Sequence, residues 1–172
     1  MGVSTGMSIN GTIRAATRED VPSLLALIRG LADYERLSHQ FEATAEQLEE
    51  ALFCASPAAE AIVAQTAGTI IGFALFFTNF STFLTRRGLY LEDLFVHPDY
   101  RGRGYGKALF QHLAHLAVQR GCGRFEWSVL EWNQPAIRFY RAQGAEVMPD
   151  WRICRLTGEA LKRAGEGVAF PS

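Results

Sequence analysis

Residues 89–120 read LYLEDLFVHPDYRGRGYGKALFQHLAHLAVQR. The first eight, Leu89 to Val96, form a mostly apolar run that is typical of a strand. From Gly104 to Arg120, apolar side chains recur on one helical face, at Leu109, Leu113, Leu116 and Ala117. This part of the chain is therefore predicted to be a strand, a glycine-rich turn and an amphipathic helix.

Upstream of this stretch, strand and helix patterns alternate. Capping-box patterns at Thr17–Asp20 and Thr44–Gln47 each precede an apolar helical face. Two β-rich apolar runs joined by Ala67-Gly68 are typical of an antiparallel hairpin. The predicted strands are Ile9–Arg14, Glu60–Gln65 and Thr69–Phe77, followed by a loop over Asn79–Gly88.

Downstream, a strand, a helix and a last strand are predicted. Their ranges are Arg124–Leu130, Pro135–Gln143 and Trp151–Leu156. The order β-α-α-β-β-β-α-β-α-β predicts an α/β (α+β) fold with a mixed sheet flanked by helices. We expect a single domain over residues 9–164, with a flexible leader at 1–8 and a flexible tail at 165–172.

The composition argues against several classes of function. Seventeen Lys and Arg against eighteen Asp and Glu leave a net charge of −1, which does not favour nucleic acid. The longest apolar run, Ile70 to Phe77, is far shorter than the ~18 residues of a membrane-spanning helix.

The three cysteines form no C-x-x-C pair, and His112 and His115 have no Cys or carboxylate partner nearby, so no metal is expected. The sequence shows no secretory signal, and we expect a cytoplasmic protein without nucleic-acid or membrane partners.

The turn Arg101-Gly-Arg-Gly-Tyr-Gly-Lys107 suits an anion, because its glycines allow positive φ and let backbone N–H groups converge at the start of a helix. Two other phosphate-binding loops are excluded. A Walker loop needs glycine and Ser or Thr where Arg101 and Ala108 stand. A dinucleotide-binding loop needs its third glycine at Lys107 or Leu109. The pattern favours the pyrophosphate of another kind of cofactor.

Two separated motifs make the sequence similar to a known family. The run from Leu91 to Gly106 and the run Glu131-Trp-Asn-Gln-Pro-Ala-Ile-Arg-Phe-Tyr-Arg-Ala-Gln-Gly144 resemble the GNAT acetyltransferase superfamily. With Leu31-Ala-Asp-Tyr-Glu35, they most resemble its diamine (spermidine/spermine, thialysine) N-acetyltransferases. The resemblance spans about Ile13 to Lys162 and implies a mostly antiparallel GNAT-type sheet, acetyl-CoA as co-substrate and a homodimer.

The resemblance also implies where acetyl-CoA binds. The pyrophosphate would lie on the backbone of the glycine turn, and the pantetheine arm would pair like an extra strand with the strand ending at Val96. Asn133 and the short helix after it would line the opposite side. The implied cofactor-binding residues are Leu94, Phe95, Val96, Arg101, Gly102, Arg103, Gly104, Tyr105, Gly106, Lys107, Asn133 and Ala136.

Two residues are candidates for moving protons during acetylation of an amine. Tyr140 carries a phenolic proton that it would pass to the leaving thiolate, and Glu92 would accept the ammonium proton through a water. A regular strand sends Glu92 and Asp93 to opposite faces, whereas the resemblance implies a bulge that aims both at the acceptor. Two plainer interpretations compete: core packing for Tyr140 and a solvent-facing pair for the two carboxylates.

The acceptor is predicted to be the primary amine of a small cationic molecule, either a polyamine or a lysine-like amino acid such as thialysine. The segment 33–50 is strongly acidic. Within it, the motif match assigns Glu35 to the acceptor, and Glu92 and Asp93 are predicted to bind the acceptor as well.

Arg86 and Arg87 distinguish the two acceptor classes. A carboxylated acceptor would favour these arginines at the border of the site, and a polyamine would be repelled by them. Acetylation of a protein or peptide amine is an alternative activity. A non-catalytic acyl-CoA-binding module is the alternative outside enzymes.

Overall fold

The central sheet has five strands, which follow one another across the sheet in the order of the chain. They are β1 (Thr12–Ala15), β2 (Glu60–Thr66), β3 (Thr69–Ser81), β4 (Arg86–Val96) and β5 (Phe125–Trp127). The first four pair antiparallel, and β5 pairs parallel to β4. The sheet is therefore mixed and mostly antiparallel, as predicted.

The structure is a computed structural model that describes residues 10–166, and these fall into two compact units. The first unit, up to Ser128, holds the sheet and the helices α1 (Val21–Tyr34), α2 (Ala45–Phe53) and α3 (Tyr105–Gln119). The second, from Val129, holds α4 (Gln134–Ala142) and α5 (Gly158–Gly165). None of these helices is long and apolar enough to cross a membrane. The predicted leader at 1–8 and residues 167–172 of the predicted tail lie outside the described residues.

In the first unit, helices cover both faces of the sheet. One core lies against α1 and α2 and includes Leu24 and Phe73, both almost inaccessible to water. The other lies against α3 and includes Leu91 and Leu109. Alternation along the strands sends neighbouring side chains to opposite faces, so the same strands contribute to both cores. Burial of each large apolar side chain contributes about 1.5–3 kcal/mol, which holds the helices on the sheet.

Local capping starts α2 at the predicted residue. The Gln47 N–H donates to Thr44 Oγ1 (3.2 Å), and the Thr44 N–H donates to Gln47 Oε1 (3.1 Å). Before α1, the Thr17 N–H donates to the Asp20 carboxylate (2.8 Å), and a short 3-10 turn leads into the helix. These hydrogen bonds satisfy backbone N–H groups that have no intrahelical acceptor at the start of a helix.

A β-bulge interrupts β4 at Glu92. Asp93 pairs with Leu75 and Leu91 pairs with Phe76, so Glu92 has no residue opposite it. The extra residue reverses the alternation: Leu91 packs in the core against α3, whereas Phe95 packs in the core against α1 and α2. Without the bulge, residues 91, 93 and 95 would share one face.

Two predicted boundaries around the sheet are wrong. The expected loop Asn79–Gly88 is mostly strand, because β3 continues to Ser81 and β4 begins at Arg86. The expected strand Arg124–Leu130 is reduced to the three residues of β5. In both cases the partner strand decides the length: β3 and β4 stay paired to the hairpin tip, while β5 has β4 beside it for three residues only.

The second unit lacks the last predicted strand. Residues 151–156 form no strand, and the side chains of Trp151 and Ile153 are 73% and 70% exposed. An alternating pattern makes a strand only where a second strand supplies hydrogen-bond partners. The helix α5, which follows this segment, was not predicted from the sequence. Thr157 occupies its N-cap position, and Lys162 pairs with Glu159 (2.7 Å).

Candidate active site

The glycine turn joins β4 to α3 with its backbone amides free to bind an anion. Gly102 and Gly104 have φ of +73° and +89°, which only glycine adopts without strain, and Gly104 is the N-cap of α3. The first turn of a helix has no intrahelical acceptors for its N–H groups, and the Ala108 N–H is the first to donate back, to Gly104 O (2.9 Å). A Cβ built on Gly102 meets nothing within 4 Å. The turn therefore presents several N–H donors beside open space.

The start of α3 lies directly over the end of β4. A Cβ built on Gly106 would sit 3.9 Å from side-chain carbons of Leu94 and Val96. Ordinary van der Waals contact at this point brings the positive end of the helix dipole to the last residues of the strand. The two predicted parts of a cofactor site are thus neighbours in the first unit.

Most side chains of the turn point toward protein rather than toward an anion. Arg101 Nε donates to Val96 O (2.9 Å) and Arg103 Nη2 donates to Asp99 O (2.9 Å). Tyr105 is buried and its hydroxyl donates to Asn10 O (2.9 Å). Lys107 is exposed and has no ion pair with any described residue. Backbone amides and Lys107 are the groups in place to bind a pyrophosphate.

Three carboxylates gather where the bulge interrupts β4. Glu92 is exposed at the bulge, Asp93 is half-buried beside it, and Glu35 caps the C-terminus of α1. Burial, together with the negative charges of Glu92 and Glu35, raises the pKa of Asp93 to about 6. Burial also raises the pKa of Glu35. These three residues, the acidic cluster, form a negative site that is partly buried at Asp93 and Glu35 and favours a bound cation. The interpretation of Glu92-Asp93 as a simple solvent-facing pair does not describe Asp93.

One edge of β4 is open beside the acidic cluster. The pairing with β5 runs only from Leu89 to Leu91, opposite Phe125 to Trp127. From Glu92 onward, no strand among the described residues pairs with β4 on this side. Its backbone therefore offers N–H and C=O groups to an extended ligand, as an added strand would take them.

The arginines of the β3–β4 hairpin are distant from the acidic cluster. Arg86 and Arg87 precede Glu92 by six and five residues on one strand, which corresponds to about 16–20 Å. The backbone of both arginines therefore lies at the other end of β4 from Glu92.

In the second unit, Asn133 and Tyr140 belong to α4. Asn133 is the N-cap, and its Oδ1 accepts from the Ala136 N–H (3.3 Å). Tyr140 is half-buried, with its ring against that of Phe139 at 5.3 Å. Both the packing interpretation and the functional interpretation of Tyr140 are compatible with this position.

The glycine turn has an aromatic partner that was not predicted from the sequence. The guanidinium carbon of Arg101 lies 4.7 Å from the ring centroid of Tyr34 and 5.2 Å from that of Phe95. No local pattern links Arg101 to Tyr34, because 66 residues separate them in the chain. Phe95, predicted to contact the cofactor, is 4% exposed and buries its side chain in the core against α1.

No group of three or more potential metal ligands occurs among residues 10–166. His112 and His115 lie about one turn apart on α3, and both are exposed. The three carboxylates of the acidic cluster do not make up such a group either.

Comparisons with known proteins agree with this architecture. The model of the acetyltransferase (GNAT) family matches residues 28–145. The chain is 34% identical to L-ornithine N5-acetyltransferase of Arabidopsis thaliana, with 92% of this chain and 89% of that protein covered. It is also 34% identical to thialysine N-epsilon-acetyltransferase of Mus musculus, with 87% and 94% covered.

A solved structure supports the fold. An integron cassette protein from the mobile metagenome of V. cholerae superposes with a TM-score of 0.78 over 93% of this chain and all of that one, at 24% identity. The family match covers the bulge, the glycine turn and α4. The protein therefore belongs to the acetyltransferase (GNAT) family.

Proposed function

We propose that the protein transfers the acetyl group of acetyl-CoA to a primary amine of a small acceptor that carries a second cationic group. The acidic cluster at the bulge carries this proposal, because Asp93 is held near two other carboxylates whose repulsion a dication would relieve. The relatives named for ornithine and thialysine support it, since both of those molecules carry two amino groups.

Two parts of the first unit fit acetyl-CoA. The free amides from Gly102 to Lys107 would hold the pyrophosphate, with Lys107 adding a positive charge. The open edge of β4 from Glu92 to Val96 would pair with the amides of the pantetheine arm. Acetyl-CoA supplies an acyl group that is activated as a thioester.

The proton transfers are assigned to Glu92 and Tyr140. Glu92, exposed at the bulge, takes a proton from the acceptor ammonium through a water, which frees the nitrogen lone pair. The nitrogen bonds to the acyl carbon while the C–S bond breaks, and the Tyr140 hydroxyl gives its proton to the sulfur. The proton that nitrogen loses on bond formation returns to Tyr140 through solvent. Asn133 orders the start of α4 and so the helix that carries Tyr140.

Glu35 and Asp93 are assigned to the distal cation of the acceptor. A lysine-like chain places its carboxylate only about 7 Å from its terminal amine, whereas the backbone of Arg86 and Arg87 is about 16–20 Å along β4 from Glu92. We therefore do not assign these arginines to that carboxylate. Salt screens any repulsion between these arginines and a polyamine. Recognition therefore rests on two cations and does not require a carboxylate.

A panel of amines tests this function. Purified protein is incubated with acetyl-CoA and thialysine, ornithine, lysine, putrescine or spermidine, with butylamine as the monoamine control, and thiol release and product mass are measured. We expect acetylation of the diamines with a kcat/KM at least tenfold above that of butylamine. Equal use of butylamine contradicts the two-cation acceptor but not the acetyltransferase. Binding of acetyl-CoA by calorimetry without transfer to any amine or peptide indicates the non-catalytic module.

We further propose that the protein acts as a homodimer. The segment 147–156 exposes five large apolar side chains: Val147, Met148, Trp151, Ile153 and Leu156. Aromatic side chains such as Trp151 bury about 150–250 Å² each, so two copies of this segment would supply several hundred Å² toward the ~1,200–2,000 Å² of a stable interface. Sedimentation equilibrium tests it: we expect a dimer for the natural protein and a monomer for Trp151→Ser/Ile153→Ser, and a monomeric natural protein refutes the proposal.

A further inference from the structure

Arg101 connects three elements of the first unit. Its Nε donates to the carbonyl of Val96, the last residue of β4, at 2.9 Å. Its guanidinium carbon lies 4.7 Å from the centroid of Tyr34, the last residue of α1, and 5.2 Å from that of Phe95. Arg101 itself begins the glycine turn. One side chain thus links the ends of α1 and β4 to the proposed pyrophosphate site.

The contact of α1 with β4 is close at the same place. A Cβ built on Gly30 would lie 3.3 Å from the ring of Phe95, tighter than most real contacts. A side chain at this position would push α1 away from the strand. The last turn of α1, which ends at Tyr34 and is followed by Glu35, therefore packs closely on β4. Gly30 allows this approach, and the stack of Arg101 on Tyr34 holds the end of the helix.

The charge of Arg101 is directed at aromatic rings and not at the acidic cluster. Arg101 makes no ion pair with any carboxylate of the described residues. Burial alone raises the pKa of Glu35, with no lowering by a nearby cation. Arg101 therefore does not neutralise Glu35, and an acceptor cation meets no competing guanidinium there.

We propose that Arg101, with Tyr34, is a positioning residue that holds Glu35 beside the bulge and so couples acceptor binding to the cofactor turn. The proposal rests on the function proposed above. Order imposed on the turn by a bound pyrophosphate is transmitted through Arg101 to the end of α1. Loss of the stack frees that end, and Glu35 no longer contributes fully to binding of the acceptor.

Steady-state kinetics of matched variants test this role. Tyr34→Leu removes the stacking ring without changing the turn, and Tyr34→Phe keeps the ring. We expect Tyr34→Leu to raise the KM for the diamine about five- to tenfold and the KM for acetyl-CoA less than twofold, with Tyr34→Phe close to the natural protein.

Arg103→Met is the matched arginine control. Arg103 also lies over a ring, that of Tyr100 at 5.3 Å, and bonds a backbone carbonyl, but it does not touch α1. We expect Arg101→Met to raise the KM for the diamine and Arg103→Met to leave it at the natural value. An unchanged diamine KM in Tyr34→Leu, or a rise in the acetyl-CoA KM alone, overturns the positioning role.

Hydrogen exchange separates this inference from the proposed function. The amides of Glu35 and Leu37 donate to Leu31 O (2.9 Å) and Ala32 O (2.8 Å) at the end of α1. We expect both to exchange faster in Tyr34→Leu and Arg101→Met, and at the natural rate in Arg103→Met. This readout does not depend on catalysis, so an inactive natural protein refutes the function while these rates still decide the link. Equal rates in all variants refute the link.

Discussion

The pKa of Asp93 depends on its burial and on the charges beside it. Its carboxyl titrates near 6 because burial and two neighbouring negative charges disfavour ionisation. The folded protein therefore prefers the protonated form, whose stabilising effect is complete below the ordinary pKa of 3.8 and is lost as the pH rises through about 6. A residue that opposes folding at neutral pH is typical of a functional site.

The variant Asp93→Asn should therefore be more stable than the natural protein at neutral pH. We expect the gain in the free energy of unfolding to be near zero below pH 4 and to grow between pH 4 and 6 to at most about 3 kcal/mol. Urea unfolding at several pH values measures it. Asp150→Asn, at an exposed aspartate, is the control. A gain that does not depend on pH would show that the carboxyl is not desolvated.

The hydroxyl of Tyr140 is the second residue-scale case. Tyr140→Phe keeps the ring and its contact with Phe139 but deletes the proton donor. We expect kcat to fall about 10²-fold, with little change in the affinity for acetyl-CoA. Rapid kinetics and calorimetry measure the two quantities. Full activity of this variant would assign Tyr140 to packing.

At the scale of elements, the glycine turn and the bulge work together. The turn presents amides at the start of α3, and the bulge changes which face of β4 meets α1 just before the strand ends. Both elements act through backbone groups and not through particular side chains. Their function depends on backbone conformation, so substitutions that alter φ should be the most damaging ones.

Gly104→Val should weaken acetyl-CoA binding tenfold or more. Gly104 has φ of +89°, which a β-branched residue adopts only with strain, so the N–H groups of the turn would rotate. Titration calorimetry measures the dissociation constant. Gly121→Val is the matched control, because Gly121 has φ of +66° at the far end of α3. We expect Gly121→Val to lower stability but to leave binding intact; equal binding losses would argue against the turn.

At the scale of the whole molecule, charge is distributed unevenly although the net charge is only −1. The acidic cluster draws on α1 and β4, and the segment 33–50 adds further carboxylates such as Glu42 and Glu46. Such a field attracts cationic acceptors, and salt screens it.

Glu35→Gln should raise the KM for a diamine several-fold, with little change in the KM for acetyl-CoA. The reason is loss of one negative charge from the acidic cluster. Added salt should reproduce part of the effect in the natural protein and less of it in the variant. Glu50→Gln, at an exposed glutamate outside the acidic cluster, is the control. The same rise in both variants would indicate general attraction and not a specific contact.

The sequence by itself determined the features that depend on neighbours in the chain. These features are local, since backbone sterics and spacings of 2 or 3.6 residues decide them. They include the capping box of Thr44 and Gln47, the hairpin at Ala67-Gly68, the apolar stripe of α3 and the positive-φ glycines. The two family motifs likewise lie in continuous runs. These signals were sufficient for the fold class and the family.

Only the tertiary structure decided what depends on distant residues. Asp93 lies near Glu35 because the bulge in β4 and the packing of α1 bring them together, and Arg101 meets Tyr34 for the same reason. Strand lengths also depend on partners: β3 and β4 continue through the predicted loop 79–88, whereas residues 151–156 alternate in sequence and form no strand. A strand or a charge cluster is stabilised by groups far away in the chain, and local sequence patterns do not contain that information.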